Sequence, residues 1–443
     1  MRIAYKYYSQ FIALMVAIYI LGILVPELIY MLFPVVLLLL GYKKYFFELL
    51  IISILFLILA DYIPIRGATR DSLKFAKDLK ILAPLALFGF FIYHKESFTL
   101  DYRFIIPFIP FFIFATIALI YSIRIGVGIQ KTASFIILYL TVPLYVLYLH
   151  KTYKSLFWNG LITFLVGILI IGLVLGAIVP DIGIHGSGRF KGALGNPNGV
   201  GIFSFLIAVL YMLTKELKLT TFTNRERLII VLAIFLSIVW CESRNAIMSI
   251  TLFLVTARLV KINWLLAIIV VTSLIIFEDS LFDLIIVIIE FIGLESYFRV
   301  NTIEEGSGRV IAWAFAWQEI QKYFFLGGGF GHDENIMRQN YYWLERQGHN
   351  GGVHNSYLSM WFDTGILGVI SYFFALLFNL LKNMNGNYLV FALIVATGFN
   401  INYESWLIGS LNPFTILLLI ILSIFIFQLK PDREVTTIET TKT

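Results

Sequence analysis

Residues 131–179 read KTASFIILYLTVPLYVLYLHKTYKSLFWNGLITFLVGILIIGLVLGAIV. Two apolar runs, 131–149 and 156–179, are parted by a short break that carries His150, Lys151 and Lys154. Each run approaches the roughly 20 residues that a helix needs to cross the hydrocarbon of a bilayer. Neither run alternates apolar and polar residues, as the lipid-facing strands of a barrel do. In lipid every backbone N–H and C=O must find its partner inside the segment, so a continuous apolar run reads as a helix. The stretch is therefore two spans joined by a tight basic turn.

The same pattern repeats along the chain. Apolar runs lie near 8–24, 25–41, 45–61, 79–94, 104–121, 131–149, 156–179, 199–214, 228–241, 245–258, 262–277, 356–380, 388–403 and 411–428. Several are short for a span, so about 12–14 transmembrane helices are expected. Of the 443 residues 60% are apolar, 16% aromatic and only 14% charged. A soluble domain has roughly 45–50% apolar and about 25% charged residues, so a single water-soluble core is excluded. The fold class is an all-α polytopic membrane protein. A cleavable signal peptide is not expected, because the hydrophobic stretch from Phe11 to Leu40 runs far past an h-region and has no small-residue cleavage site. The single cysteine, Cys241, leaves no intrachain disulfide and no cysteine zinc site.

Lys and Arg in the breaks set the orientation. The breaks at 43–44, 150–154, 215–227 and 258–261, the one at Lys382, and the tail from Lys430 all read as cytoplasmic, as does the N-terminus with Arg2 and Lys6. They alternate with breaks at 122–130, 180–198, 242–244, 278–355 and 403–411, which must face outward. Segment 281–293 is too short to span and reads as an outer interfacial or re-entrant helix, with Asp283 and Glu290 on one face. Residues 294–353 form one large external loop containing short helices, a length usually tied to function. The chain divides into N-terminal spans (1–180), a central region with the external loop (181–380), C-terminal spans (381–429) and a short cytoplasmic tail (430–443).

The anomaly is a set of cations on the outer side: Arg66, Arg70, Lys74, Lys77, Lys80, Arg124, Arg189, Lys191, Arg244 and Arg309. Snorkelling at span ends accounts for Lys77, Lys80 and Arg124. Arg244, in CESRNAIMSI, stands where an outer break starts a span. Arg309, in GSGRVIAWAFAWQEI, stands at a predicted helix start, with Trp313, Trp317 and Ile320 on a face suited to lying on the membrane. His354, in GGVHNSYLSMWF, precedes the next span, with Asn355 or Ser356 as its N-cap. A cation at a helix N-terminus opposes the macrodipole, unless an anion binds there and shares the free N–H groups. Three such placements on one side point to a phosphate or diphosphate site. Each also has a plainer reading: Arg244 paired with Glu242, Arg309 with Glu304 or Glu305, and His354 as an ordinary cap or loop residue. His185, His332 and His349 read as ordinary loop residues.

Four segments then carry a resemblance to the O-antigen ligase and polymerase family over roughly residues 185–375. They are GRFKGALGNPNGVGIF with Arg189, Asn196 and Asn198; SRNA at 243–246, where Asn245 stands in place of the usual glycine; SGRVIAWAFAWQEI followed by LGGGFG at 326–331; and HNSYLSMWFDTGILG, in which His354 and Asn355 precede Gly365 and Gly368. The resemblance implies a GT-C-like helical fold in a bacterial inner membrane, with the active site facing the periplasm. It implies no metal and no cofactor. The donor would be a glycan on undecaprenyl pyrophosphate, transferred en bloc with inversion to a sugar hydroxyl of a glycan or of a lipid A core. Membrane lipids would be partners and nucleic acid would not. In this reading His354, Arg309 and Arg244 are catalytic: the arginines hold the departing diphosphate and His354 activates the acceptor hydroxyl. Arg189, Asn196, Asn198, Asn355, Arg66 and Arg70 bind substrate.

The residues do not separate a ligase from an O-antigen or surface-polysaccharide polymerase. A transporter for lipid-linked glycans is the alternative of another class; it predicts mid-span ionisable residues, which are nearly absent. A metal-dependent hydrolase using His332, Asp333, Glu334 and His349 matches no ligand spacing.

Overall fold

The computed structural model describes residues 10–61 (except 12, 15, 19, 22 and 23), 74–277, 308–349, 351–383 and 387–431, with a few more between 286 and 295. The expected interfacial helix at 281–293 and the loop residues 294–307 fall mainly outside the described residues. So do Arg66, Arg70, Glu304, Glu305 and most of the tail.

The architecture is all-α. In chain order the helices are α1 (Pro26–Tyr42), α2 (Phe46–Asp61), α3 (Leu82–Tyr93), α4 (Ile109–Ile117), α5 (Ile125–Tyr153), α6 (Ser155–Ile178), α7 (Pro197–Glu216), α8 (Asn224–Cys241), α9 (Arg244–Ile262), α10 (Trp264–Ile276), α11 (Arg309–Ile320), α12 (His332–Gln339), α13 (Tyr341–Arg346), α14 (Ser356–Lys382), α15 (Tyr388–Asn402) and α16 (Pro413–Ile426). Five of them, α5, α6, α7, α9 and α14, are long and apolar enough to cross a membrane, and shorter apolar helices surround them. The only β-type pairing among the described residues is a bridge between Ile184 and Phe190. This is a polytopic membrane protein.

Local sequence starts these helices. Asn196 caps α7 ahead of Pro197 at its first position, and Asn412 caps α16 ahead of Pro413. Thr223 and Glu226 form a capping box on α8. Asparagine oxygens here accept N–H groups that a helix start leaves without partners, and proline at the first position has none to lose. Asn263 and Asn387 serve α10 and α15 in the same way.

Helix α16 is buried at every position and packs against α5 and α7, the latter buried along nearly its whole length. Helices apolar on all sides sit at the centre, and the others surround them.

The breaks sort to two ends. At one end Lys44 reaches Ser97, His94 meets the Gly41 carbonyl, Lys151 donates to Thr99, and Asn159 pairs with Thr221. Lys261 lies near Glu216, and Gln428 near Asn383, at the same end. The breaks at 43–44, 150–154, 215–227 and 258–261 and the one at Lys382, read from Lys and Arg as sharing one side, are among these segments. The breaks at 122–130, 180–198, 242–244 and 403–411 gather at the other end with the loop around 308–355.

That loop is folded rather than extended. Ala312, Ala316, Ile320, Met337, Leu344 and Val353 bury a small core with Phe362 of α14. Of the residues read as a membrane-lying face, helix α11 buries Ile320, half-buries Trp313 and leaves Trp317 45% exposed. Its buried line, Ala312–Ala316–Ile320, faces α14, where small residues permit close packing. Trp313 turns inward to donate to the Val353 carbonyl, and Trp317 stacks edge-on against Trp361.

Candidate functional site

Arg244 is the first residue of α9 and Arg309 the first of α11, whereas His354 immediately precedes Asn355, the N-cap of α14. The Asn355 oxygen accepts the Leu358 N–H at 2.9 Å. His354 itself has φ +51°, in the left-handed region that a residue with a Cβ enters at a cost of order 1 kcal/mol or more. Its Nε2 lies directly over Gly351, where a Cβ would approach to 2.7 Å, so glycine leaves the ring its place.

Two of these groups share one carboxylate. Glu404 Oε1 lies 3.3 Å from Arg309 Nη2, and Oε2 lies 3.7 Å from His354 Nδ1. Glu404 is buried, with 9% of its side chain exposed, against 22% for Arg309 and 31% for His354. The guanidinium also sits 5.7 Å from the centre of the Tyr403 ring. Among the described residues Glu404 is the only hydrogen-bond acceptor of the Arg309 side chain, which leaves the rest of its fork for a ligand. A planar fork with free N–H groups suits phosphate oxygens. Glu404 stands 95 residues from Arg309 in the chain, and the plainer partners Glu304 and Glu305 lie outside the described residues.

The segment bearing Glu404 is pinned to the other two elements. Ser356 Oγ donates to the Glu404 carbonyl at 2.6 Å, and Asn355 Nδ2 donates to Asn402 Oδ1 at 3.0 Å. On the far side Asn245 Nδ2, next to Arg244, donates to the Asn400 carbonyl at 3.0 Å. The starts of α9 and α14 thus meet one short stretch, residues 400–407, and Arg309 meets it through Glu404. Sequence reading missed Glu404 and Tyr403. The available signal was an acid at the start of break 403–411, which the Lys/Arg pattern places on the same side as the cations.

Arg189, Asn196 and Asn198 bind the protein itself. Arg189 Nε donates to the Cys241 carbonyl at 3.0 Å, and its Nη2 donates to the Glu242 carbonyl and to Asn198 Oδ1. A cation on these last carbonyls caps the C-terminus of α8 and complements its dipole. It thereby fixes the 241–243 turn from which Arg244 starts. Asn196 caps α7 through the Asn198 N–H.

LGGGFG also has a structural task. Gly328 N–H donates to the Phe362 carbonyl, Gly329 N–H to that of Asp363, and Gly331 N–H to the Asp363 carboxylate. Gly365, at φ +66° and ψ 176°, breaks α14 and packs on the Phe325 carbonyl, so the Gly-rich run and the Gly-x-x-Gly element lock together. Asp363 accepts the Asp333 N–H as well and so holds the start of α12. Burial, and then the neighbouring Glu334, push the Asp333 carboxyl up to about 6. The reading of His332 and His349 as ordinary loop residues is corrected: both are buried. His332 sits between Tyr323 and Phe362, and His349 holds the Gly352 carbonyl 6.1 Å from the His354 ring.

An all-α membrane protein with paired arginine and histidine at the helix starts of one end is the class these observations define. Residues 228–373 match the family model described as O-antigen ligase. No curated protein matches the chain. The match includes Arg244, Arg309, His354 and Asn355, whereas Arg189, Asn196, Asn198 and Glu404 lie outside it.

Proposed function

We propose that this end of the molecule transfers a glycan from undecaprenyl pyrophosphate to an acceptor sugar hydroxyl on the periplasmic face of a bacterial inner membrane. The observation that carries the reading is the Glu404 bridge between Arg309 and His354, on a segment also tied to the start of α9 beside Arg244. The acceptor oxygen attacks the anomeric carbon from the face opposite the leaving group, and the bond from that carbon to the diphosphate oxygen breaks. His354 takes the hydroxyl proton. Arg309 and Arg244 receive the charge that grows on the departing diphosphate, where preorganised donors are worth several kcal/mol. Arg189, Asn196, Asn198 and Asn355 act on this site by fixing the backbone.

The test is transfer by the purified chain from a lipid-diphosphate-linked glycan, with His354→Ala as the control. That variant is expected to lose transfer while keeping its membrane abundance; full activity would remove the histidine from the mechanism. Ligase and polymerase share this donor chemistry, and the acceptor separates them. After deletion, surface-glycan gels that lose all lipid A-linked polymer while lipid-linked polymer accumulates identify a ligase. A single repeat unit left on lipid A identifies a polymerase.

A further inference from the structure

Outside the cationic set, four side chains form a closed polar network between α9, α15 and the stretch that follows α15. Asn245 Nδ2 donates to the Asn400 carbonyl at 3.0 Å, and Asn400 Nδ2 donates to Ser249 Oγ at 2.9 Å. Ser249 Oγ donates in turn to the Asn245 carbonyl at 2.6 Å, and Trp406 Nε1 donates to Asn400 Oδ1 at 2.8 Å. Asn400 and Ser249 are fully buried and Trp406 is 6% exposed. Every polar group of Asn400 in this network is matched, the condition under which a buried network fixes one geometry rather than several. Glu404 lies between the two ends of the network, Asn400 and Trp406.

We propose that Asn245 and Asn400 are positioning residues that set Arg244 in register with the Arg309–Glu404–His354 assembly. The inference rests on the function proposed above and adds to it the device that joins its two arms. Helix α9 carries Arg244 as its first residue, and α9 packs along α15 more extensively than any other described helix pair packs. A slide of α9 along α15 moves Arg244 relative to Arg309, and directional hydrogen bonds fix one register of the pair. The Asn245–Asn400 bond sits one residue from the guanidinium that must be placed, so it sets the register where register matters. Asn245 occupies the position that is glycine in the resembling element, so removing its side chain is compatible with the backbone there. None of the four side chains needs to touch substrate for this task.

The experiment uses the full chain in nanodiscs with a lipid-diphosphate-linked glycan, reading kcat, donor KM and thermal stability. Asn245→Gly is expected to lower kcat about tenfold, the scale of a small misplacement at a reacting centre, with donor KM and Tm nearly unchanged. Trp406→Phe keeps an aromatic ring, removes the bond to Asn400, and should show the same signature. In an Arg244→Lys background Asn245→Gly should cost less than about twofold more, because coupled residues are not additive. Wild-type kcat in both single variants, or a loss that multiplies fully in the Arg244→Lys background, overturns the inference while leaving the function in place. A loss that simply follows Tm overturns it too, since it would mark a general packing role. Absence of transfer by the wild-type chain removes the proposed function, and this inference with it.

Discussion

Glu404→Gln is the sharpest perturbation of the site, because it removes one charge and almost no volume. The carboxylate lies 3.3 Å from Arg309 Nη2. At an effective dielectric of about 20, a unit-charge pair at that distance attracts by about 5 kcal/mol. Desolvating the two groups offsets most of this, and a charge-assisted hydrogen bond nets about 1.5–3 kcal/mol against roughly 1 kcal/mol for a neutral one. Glutamine can still accept from Arg309, so the net loss is about 1–2 kcal/mol. If that energy holds Arg309 and His354 in their working geometry, kcat falls about 5- to 30-fold. Donor KM should not rise, because removing an anion beside a cationic site does not weaken its hold on a diphosphate. The Ser356 bond to the Glu404 backbone carbonyl is untouched, so the fold should persist. The assay is glycan transfer in nanodiscs across a donor concentration series, with Tm as the control. A variant with wild-type kcat, or one whose KM rises at constant kcat, would refute the positioning role.

Other outcomes follow from the same geometry. Arg309→Lys should lose most activity, at least about tenfold in kcat, because an ammonium cannot keep Glu404 and offer a planar fork to phosphate at once; normal transfer by that variant ends the bidentate role. Gly365→Ala should destabilise the protein by about 3 kcal/mol or more, since φ +66° with ψ 176° is a glycine conformation and the new methyl meets the Phe325 carbonyl. Thermal unfolding of that variant in detergent checks this, and an unchanged Tm argues against the break in α14. Asp333 has its pKa raised by burial to about 6, so the folded state binds its proton more tightly than the unfolded chain does. Its contribution is favourable below about pH 4, is lost as pH rises through about 6, and leaves a cost of order 2–3 kcal/mol at neutral pH. Asp333→Asn should therefore raise Tm at pH 7.5 and flatten the stability change between pH 4 and 6, and an unaltered pH dependence would contradict the burial of that charge.

Much of this was legible from the chain alone, for a physical reason. Lipid forbids unpaired backbone, so apolar length and the placement of Lys and Arg report helices and their ends with little tertiary help. The spans read at 131–149, 156–179 and 199–214 reappear as α5, α6 and α7, and the start of α11 falls at Arg309. Capping chemistry is local as well, and so Asn355 could be named beforehand as one of two possible caps for α14. Partnership between distant side chains is not local. Nothing local to Arg309 names Glu404, 95 residues on, as its partner; the packing of α11 on α14 beside the end of α15 brings the two together. The same holds for Arg189, whose charge is plain in the sequence and whose use as a cap on α8 depends on how the 184–190 hairpin folds back. The sequence by itself determined which residues are cations near helix starts at one end of the bundle. The tertiary structure decided which of them keep N–H groups for a ligand and which already hold protein carbonyls, because that depends on which acceptors packing brings within hydrogen-bond reach.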